Sequence, residues 1–205
     1  MIPSIACPPE STTRLLSTDI GRWTPPHETQ LLVHLAGTVP GNILEIGCNN
    51  ALTTREFALA YPDRHVFGID YLEEQNTMVA EQQYERPVDE FGKWAAGLPN
   101  VTLQLVNSRT LEYETFPDIG VVFIDGDHSY EGVKADTELA LAYLKKRGHG
   151  LILWHDYSPT HPAWVQVKAY LDSEIAPYHA LTHYDTTWTV SMYVGGDSTH
   201  ARRAA

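Results

Sequence analysis

Five short apolar runs alternate with helical stretches along the middle of this chain, and that alternation leaves few folds open. NILEI (42–46), HVFGID (65–70), VTLQLV (101–106), GVVFID (120–125) and GLILWHD (150–156) have the length and apolar density of buried strands. HETQLLVHLAG (27–37) precedes them with helical spacing, and ALTTREFALAY (51–61), a stretch at 72–86, another at 130–147 and one near 163–175 supply the crossovers. Lys145, Lys146 and Arg147 before Gly148 suit the end of the fourth helix, by dipole and by cap. Parallel strands with right-handed crossovers follow. HALTHYD (179–185) and WTVSMYV (188–194) have only Thr186 and Thr187 between them, too few residues for a crossover, so they form an antiparallel hairpin. The expected fold is α/β: a three-layer sandwich around a seven-stranded, mostly parallel sheet ending in that hairpin. Residues 1–26, with five prolines, are expected to be irregular around Trp23; 27–195 form the domain, with an insert at about 82–99; 196–205 form a mobile tail.

Composition narrows the partners. A formal charge of -12 at pH 7 offers no basic patch to neutralise a phosphate backbone, which argues against nucleic acid. Cys7 and Cys48 form no disulfide framework, no apolar run approaches the roughly 20 residues of a membrane span, and MIPSIACPPE lacks a signal-peptide pattern. A cytoplasmic protein with neither membrane nor nucleic-acid partner is expected, with a homodimer through the first helix as the expected assembly.

In an open α/β sheet, ligands bind beyond the carboxyl ends of the strands, and the ionisable residues gather there. Glu45 and Gly47 follow the first run, Asp70 the second, Asn107 and Ser108 the third, Asp125 to His128 the fourth, and His155 and Asp156 close the fifth. Asp70 stands 23 positions after Gly47, near the spacing at which an acid holds the ribose of an adenosine cofactor; capping the next helix explains the same position. The glycine slots of the dinucleotide fingerprint hold Gly47, Asn49 and Leu52, which disfavours a pyrophosphate. FIDGDHSYE (123–131) packs two acids and a histidine into four residues, more than a helix cap requires, with Asp127 read as the cap.

ILEIGCNNALTT, FGIDY and VVFIDGDHSYEGVKADTELALAYLKKRGHGLILWHD resemble the class I S-adenosylmethionine (SAM) dependent methyltransferases, Rossmann-like proteins, and among them the small metal-dependent O-methyltransferases of the macrocin O-methyltransferase and cephalosporin-hydroxylase-like group. The resemblance spans about residues 27–195. It implies that Glu45, Gly47 and Asn49 border the methionine part of SAM, that Asp70 holds the ribose with Tyr71 beside the adenine, and that Asn107 and Ser108 lie at the adenine edge. It further implies that Asp125 and Asp156 ligate a divalent cation, Mg²⁺ foremost and Mn²⁺ next, and that His128 is the base toward the acceptor hydroxyl. His155 stands where relatives have an oxygen ligand, and as a ligand it would tilt the site toward transition metals. The usual E-x-G-x-G-x-G loop is here Glu45-Ile-Gly47-Cys-Asn49-Asn-Ala51, keeping one glycine of three.

The implied activity is O-methylation of a small hydroxylated molecule, a phenol or a natural-product sugar. Two other readings compete: a methyltransferase-fold protein weakened by its loop that serves as a SAM-binding or partner subunit, and an iron site of Asp125, His128 and His155. Tyr130, Trp154, Tyr157 and Trp188 are packing residues or an acceptor wall, and Gln82, Tyr84 and Trp94 are candidates to cover the acceptor. His161, His179 and His183 show no ligand spacing.

Overall fold

The computed structural model describes residues 2–8, 24–71, 91–112 and 114–195. The expected helix at 72–86, Trp23, Gln82, Tyr84 and the tail lie outside them. The strands are β1 (Ser4–Ile5), β2 (Asn42–Ile46), β3 (Val66–Asp70), β4 (Val101–Leu105), β5 (Ile119–Ile124), β6 (His149–Trp154), β7 (Thr182–Tyr184) and β8 (Val190–Gly195). They form one eight-stranded sheet in the order β1-β7-β8-β6-β5-β2-β3-β4. The pairs from β4 through β3, β2 and β5 to β6 are parallel, and β8 is antiparallel to both β6 and β7. The sheet is therefore of the expected kind with one strand more: Ser4 and Ile5 add a short parallel edge beside β7.

Strand alternation sorts the core into two faces. Val121 and Phe123 of β5, and Leu151 and Leu153 of β6, pack with Leu31, Leu32 and Leu35 of helix α1 (Pro26–Ala36) and Phe57 of helix α2 (Leu52–Ala60). Val122, Ile124, Ile152 and Trp154 face the other way, against helix α3 (Tyr130–Arg147) and helix α4 (Val167–Tyr170). Both faces of the central strands are covered, which is why they read in sequence as unbroken apolar runs. Continuing the alternation one residue past β6 puts His155 on the α1 face.

Helix ends follow local chemistry. Ser129 caps α3, its hydroxyl accepting from Gly132 N at 3.1 Å, whereas Asp127 accepts from Ser129 N and pairs with Arg109, so the expected cap moves by two residues. The other end closes on Gly148 with φ of 90°. Helix α4 starts later than 163 because Gln166 N donates to the carbonyl of His128 at 2.8 Å, and it continues as a π-turn over Leu171–Ile175. The hairpin arms are shorter than expected: Thr186 takes a left-handed φ of 63°, and Thr187 Oγ1 donates to Tyr184 O at 2.8 Å and accepts from Thr189 N at 3.1 Å, widening the turn.

Beyond β2 the chain turns at Gly47, whose φ is +89°. The turn is pressed on the end of β5: a Cβ at Gly47 would stand 2.2 Å from the carbonyl oxygen of Asp125 and 2.5 Å from Gly126 Cα. The strand order reverses here, with β3 and β4 to one side of β2 and β5 and β6 to the other, the position at which such sheets form a ligand crevice. Gly47→Ala is expected to lower the unfolding free energy by more than about 1 kcal/mol, since both the dihedral and the contact with Asp125 are lost. Chemical denaturation checks it, and an unchanged midpoint would mean that the two loops are not in contact.

Candidate functional site

The loop after β2 keeps its turns without the usual glycines. Asn49 and Ala51 adopt φ of 50° and 61°, left-handed values that Asn tolerates well and Ala can bear. The loop is tied to β3: Gly47 N and Cys48 N donate to Ile69 O at 2.9 and 3.1 Å, and Asn49 N donates to Asp70 Oδ2 at 2.6 Å. The other oxygen of Asp70 accepts from Tyr71 N at 2.7 Å. Asp70 is thus held by the loop it borders. From the insert, Gly92 N and Trp94 N donate to Asn49 O and Asn50 O, laying residues 91–97 against the loop.

Glu45 is buried on the α2 side and bonded to the hydroxyl of Thr54. Burial, helped by Asp125 and Asp70 and resisted by Thr54, pushes its carboxyl well above the usual range. Asn107 opens a single 3₁₀ turn at Ser108–Thr110, its side chain accepting from Arg109 N. Ser108 Oγ donates to Oδ1 of the buried Asp136 at 2.5 Å.

The metal and base candidates come together between β5 and β6. One ligand atom from each of Asp125, His128 and Asp156 lies within 4.8 Å of the others. His128 Nε2 is 2.5 Å from Asp156 Oδ2 and 3.6 Å from Asp125 Oδ1. His155 Nδ1 is 3.3 Å from Asp125 Oδ1 and 3.4 Å from Asp156 Oδ1. Neighbouring residues of an extended strand point to opposite faces, but Asp156 has φ of 61° and turns its carboxylate back toward the site that His155 reaches.

These charges shape one another. Burial alone would lower His128, but its contacts with Asp125 and Asp156 raise it to about 10. His155 is likewise lifted well above the ordinary imidazole range, against its burial, by Asp125, Asp156 and Glu28. Asp156, which burial would raise, is held far below the usual carboxylate range by His128 and His155.

Three contributors had no sequence signal. Glu28, at the first turn of α1, reads as a dipole-compensating acid, yet it is buried with Oε2 at 3.2 Å from His155 Nε2. His161, five residues past Asp156 in irregular chain, has Nε2 at 3.2 Å from Asp156 Oδ1, so the absence of a ligand spacing was no guide. Trp164 stands edge-on to His128 at 6.3 Å between ring centroids. Of the four aromatics read as packing or an acceptor wall, only Trp188 lies here, 4.5 Å from the ring of His161. Trp154 is fully buried with its indole bonded to Thr137, Tyr157 is buried, and Tyr130 packs on Tyr170.

A doubly wound sheet with an acid-bearing loop at its switch point and an acid closing β3 fits the class I SAM-dependent methyltransferase arrangement that the sequence resembles. A family model described as a methyltransferase domain matches residues 44–157, more than half of the chain, and the chain belongs to that family. No relative was found among curated proteins. Similar solved structures include a protein from Staphylococcus aureus assigned as a caffeoyl-CoA O-methyltransferase, with TM-score 0.58 and 19% identity over 85% of this chain and 86% of that one. CalS11, a TDP-rhamnose 3'-O-methyltransferase of calicheamicin biosynthesis, has TM-score 0.56 and 16% identity over 83% and 78%. The SAH-bound methyltransferase PaMTH1 of Podospora anserina has TM-score 0.56 and 16% identity over 85% and 80%. At these identities the structures establish the shared fold.

Asp136 gives the site a measurable pH signature. Burial, only partly offset by Ser108, raises its carboxyl to about 7. The folded state therefore keeps a proton that the unfolded chain releases near pH 4, and stability falls as pH rises from about 4 to about 7. Asp136→Asn should remove that loss, so its advantage over the parent should grow between pH 5 and pH 8 by about 2–3 kcal/mol. Denaturant unfolding at both pH values checks this; a difference independent of pH would mean that Asp136 is ionised throughout.

Proposed function

We propose that this methyltransferase transfers the methyl group of SAM to a hydroxyl of a small molecule, assisted by a divalent cation. The observation that carries the reading is the meeting of Asp125, His128 and Asp156 beside the loop after β2, where a methyl donor and a cation-held hydroxyl would adjoin.

SAM binding is assigned to Glu45, Gly47 and Asn49 on the methionine side, to Asp70 and Tyr71 at the ribose and adenine, and to Asn107 and Ser108 at the adenine edge. The residues of the corner fit a cation: two carboxylates face each other among imidazole nitrogens, and both histidines bordering them are drawn toward the charged form, as expected where negative charge is in excess. When bound on Asp125 and Asp156, a divalent cation lowers the pKa of a coordinated hydroxyl and compensates the carboxylates. In this reading His128 takes the hydroxyl proton once those carboxylates no longer hold its own, and the hydroxyl oxygen then attacks the sulfonium methyl in line as the S–CH3 bond breaks and S-adenosylhomocysteine leaves. Trp164 and Trp188 border the acceptor side, which suits a flat phenol or the apolar face of a sugar; one protein of similar fold is described as acting on TDP-rhamnose. A net charge of -12 keeps nucleic acid out of the acceptor class.

The partner-subunit reading draws on the lost glycines. Asn49 and Ala51 supply the left-handed turns in their place, which favours a functional loop.

Calorimetric titration of the metal-stripped protein with SAM tests the reading first, followed by methyl transfer to a panel of hydroxylated acceptors. Asp70→Ala should weaken SAM about tenfold or more, as loss of a charge-assisted hydrogen bond would. Parent-like SAM affinity would mean that the ribose lies elsewhere. Asp125→Ala should abolish cation-dependent transfer with SAM binding retained, and retained transfer would remove the cation from the mechanism. His128→Ala should lower kcat on the order of a hundredfold and flatten the pH profile; a parent-like profile would assign the proton to another group.

A further inference from the structure

Glu28 and His161 remain unexplained by the acid corner alone. Glu28 is 2% exposed, and its Oε2 accepts from Trp188 N at 3.0 Å and from Thr189 Oγ1 at 3.2 Å. A buried carboxylate so held has a fixed direction, and the same oxygen lies 3.2 Å from His155 Nε2. A carboxylate beside one ring nitrogen of a histidine draws the N–H to that nitrogen, leaving the lone pair on the other, as in the carboxylate–histidine–metal arrangement. Here the other nitrogen is Nδ1, which faces Asp125 and Asp156. Phe123 and Trp188 stand edge-on to the His155 ring at 6.4 and 5.9 Å, fixing its plane.

His161 arrives from the loop after β6, braced on the Trp188 ring. Its Nε2 and His155 Nδ1 both approach Asp156 Oδ1, at 3.2 and 3.4 Å. Two donors about 2.1 Å from one ion, at right or tetrahedral angles, stand roughly 3.0–3.4 Å apart. The two spacings to Asp156 Oδ1 fall in that range.

We propose that His155 and His161 join Asp125 and Asp156 as donors, with Glu28 positioning His155, and that the resulting two-nitrogen, two-carboxylate site selects a first-row transition ion over Mg²⁺. Imidazole suits Fe²⁺, Co²⁺ and Zn²⁺, whereas Mg²⁺ takes oxygen ligands and retains its waters. His128, on the opposite carboxylate oxygen, stays available to the acceptor. The inference rests on the cation reading of the site and is independent of whether methyl transfer follows.

The test uses the full chain, metal-stripped, titrated with Mn²⁺, Co²⁺ and Mg²⁺ by calorimetry, with the visible absorption of bound Co²⁺ as a second readout. One transition ion per chain should bind at least about a hundredfold more tightly than Mg²⁺. His161→Ala, in irregular chain outside both core clusters and so expected to fold, should weaken Co²⁺ about 10–100-fold and shift its absorption while leaving Mg²⁺ nearly unchanged. Glu28→Gln should weaken Co²⁺ by about tenfold or more; if that buried change prevents folding, His161→Ala carries the test. Equal affinity for Mg²⁺ and Co²⁺, or an unaltered Co²⁺ spectrum in His161→Ala, overturns the proposal. SAM titration of the same preparation separates the two readings: selective Co²⁺ binding without SAM binding upholds the metal site and sinks methyl transfer. SAM binding and transfer without metal selectivity do the reverse.

Discussion

The close approach of the turn at Gly47 to the carbonyl of Asp125 governs what the crevice can be. β2 and β5 are adjacent parallel strands, and Asp125 N donates to Ile46 O at 2.9 Å, so the two strands end at the same height. With no side chain at Gly47 the loop after β2 and the acid corner share a wall of backbone. Anything held by the loop is brought to within a few ångströms of anything held by the aspartates. Proximity of two reactants is therefore set by strand register, the most rigid element available, and orientation by the loops.

Strands buried on both faces were legible almost to the residue, because burial imposes an unbroken apolar run and the carboxyl end is marked by the first residue that cannot enter the core. Asp125 with His128 was legible for a related reason: both lie in one short loop, so sequence proximity entails spatial proximity. Glu28 and His161 were not. Glu28 depends on partners 160 and 161 positions away, and no local pattern encodes such a meeting. The hairpin was visible as a hairpin, but its turn was not, since the decisive hydrogen bonds of Thr187 are made by a side chain whose sequence context is that of any polar loop. Trp154, open in the sequence to packing or to an acceptor wall, is packing: alternation sends it to the face of the sheet opposite His155.

Buried charge is costly unless it is paired, and this site concentrates it. Glu28, His155, Asp125, Asp156 and His128 form a continuous chain of carboxylates and imidazoles, in which both histidines are raised and Asp156 is lowered by their partners. Such a chain holds its members in fixed orientation, which an apolar core could not do for polar ligands, and it makes the site sensitive to any change in its total charge.

The tie between α1 and the start of β8 has a consequence for how the protein is made. Glu28 leaves the ribosome early in synthesis and Trp188 and Thr189 late, so His155 acquires its fixed orientation only when nearly all of the domain has emerged. Contacts of such long sequence separation form late in folding as well. A nascent chain can assemble the parallel half of the sheet and the loop after β2 while the nitrogen side of the corner is still unformed. An ion bound as proposed would thereby find its ligand set only after β8 has emerged.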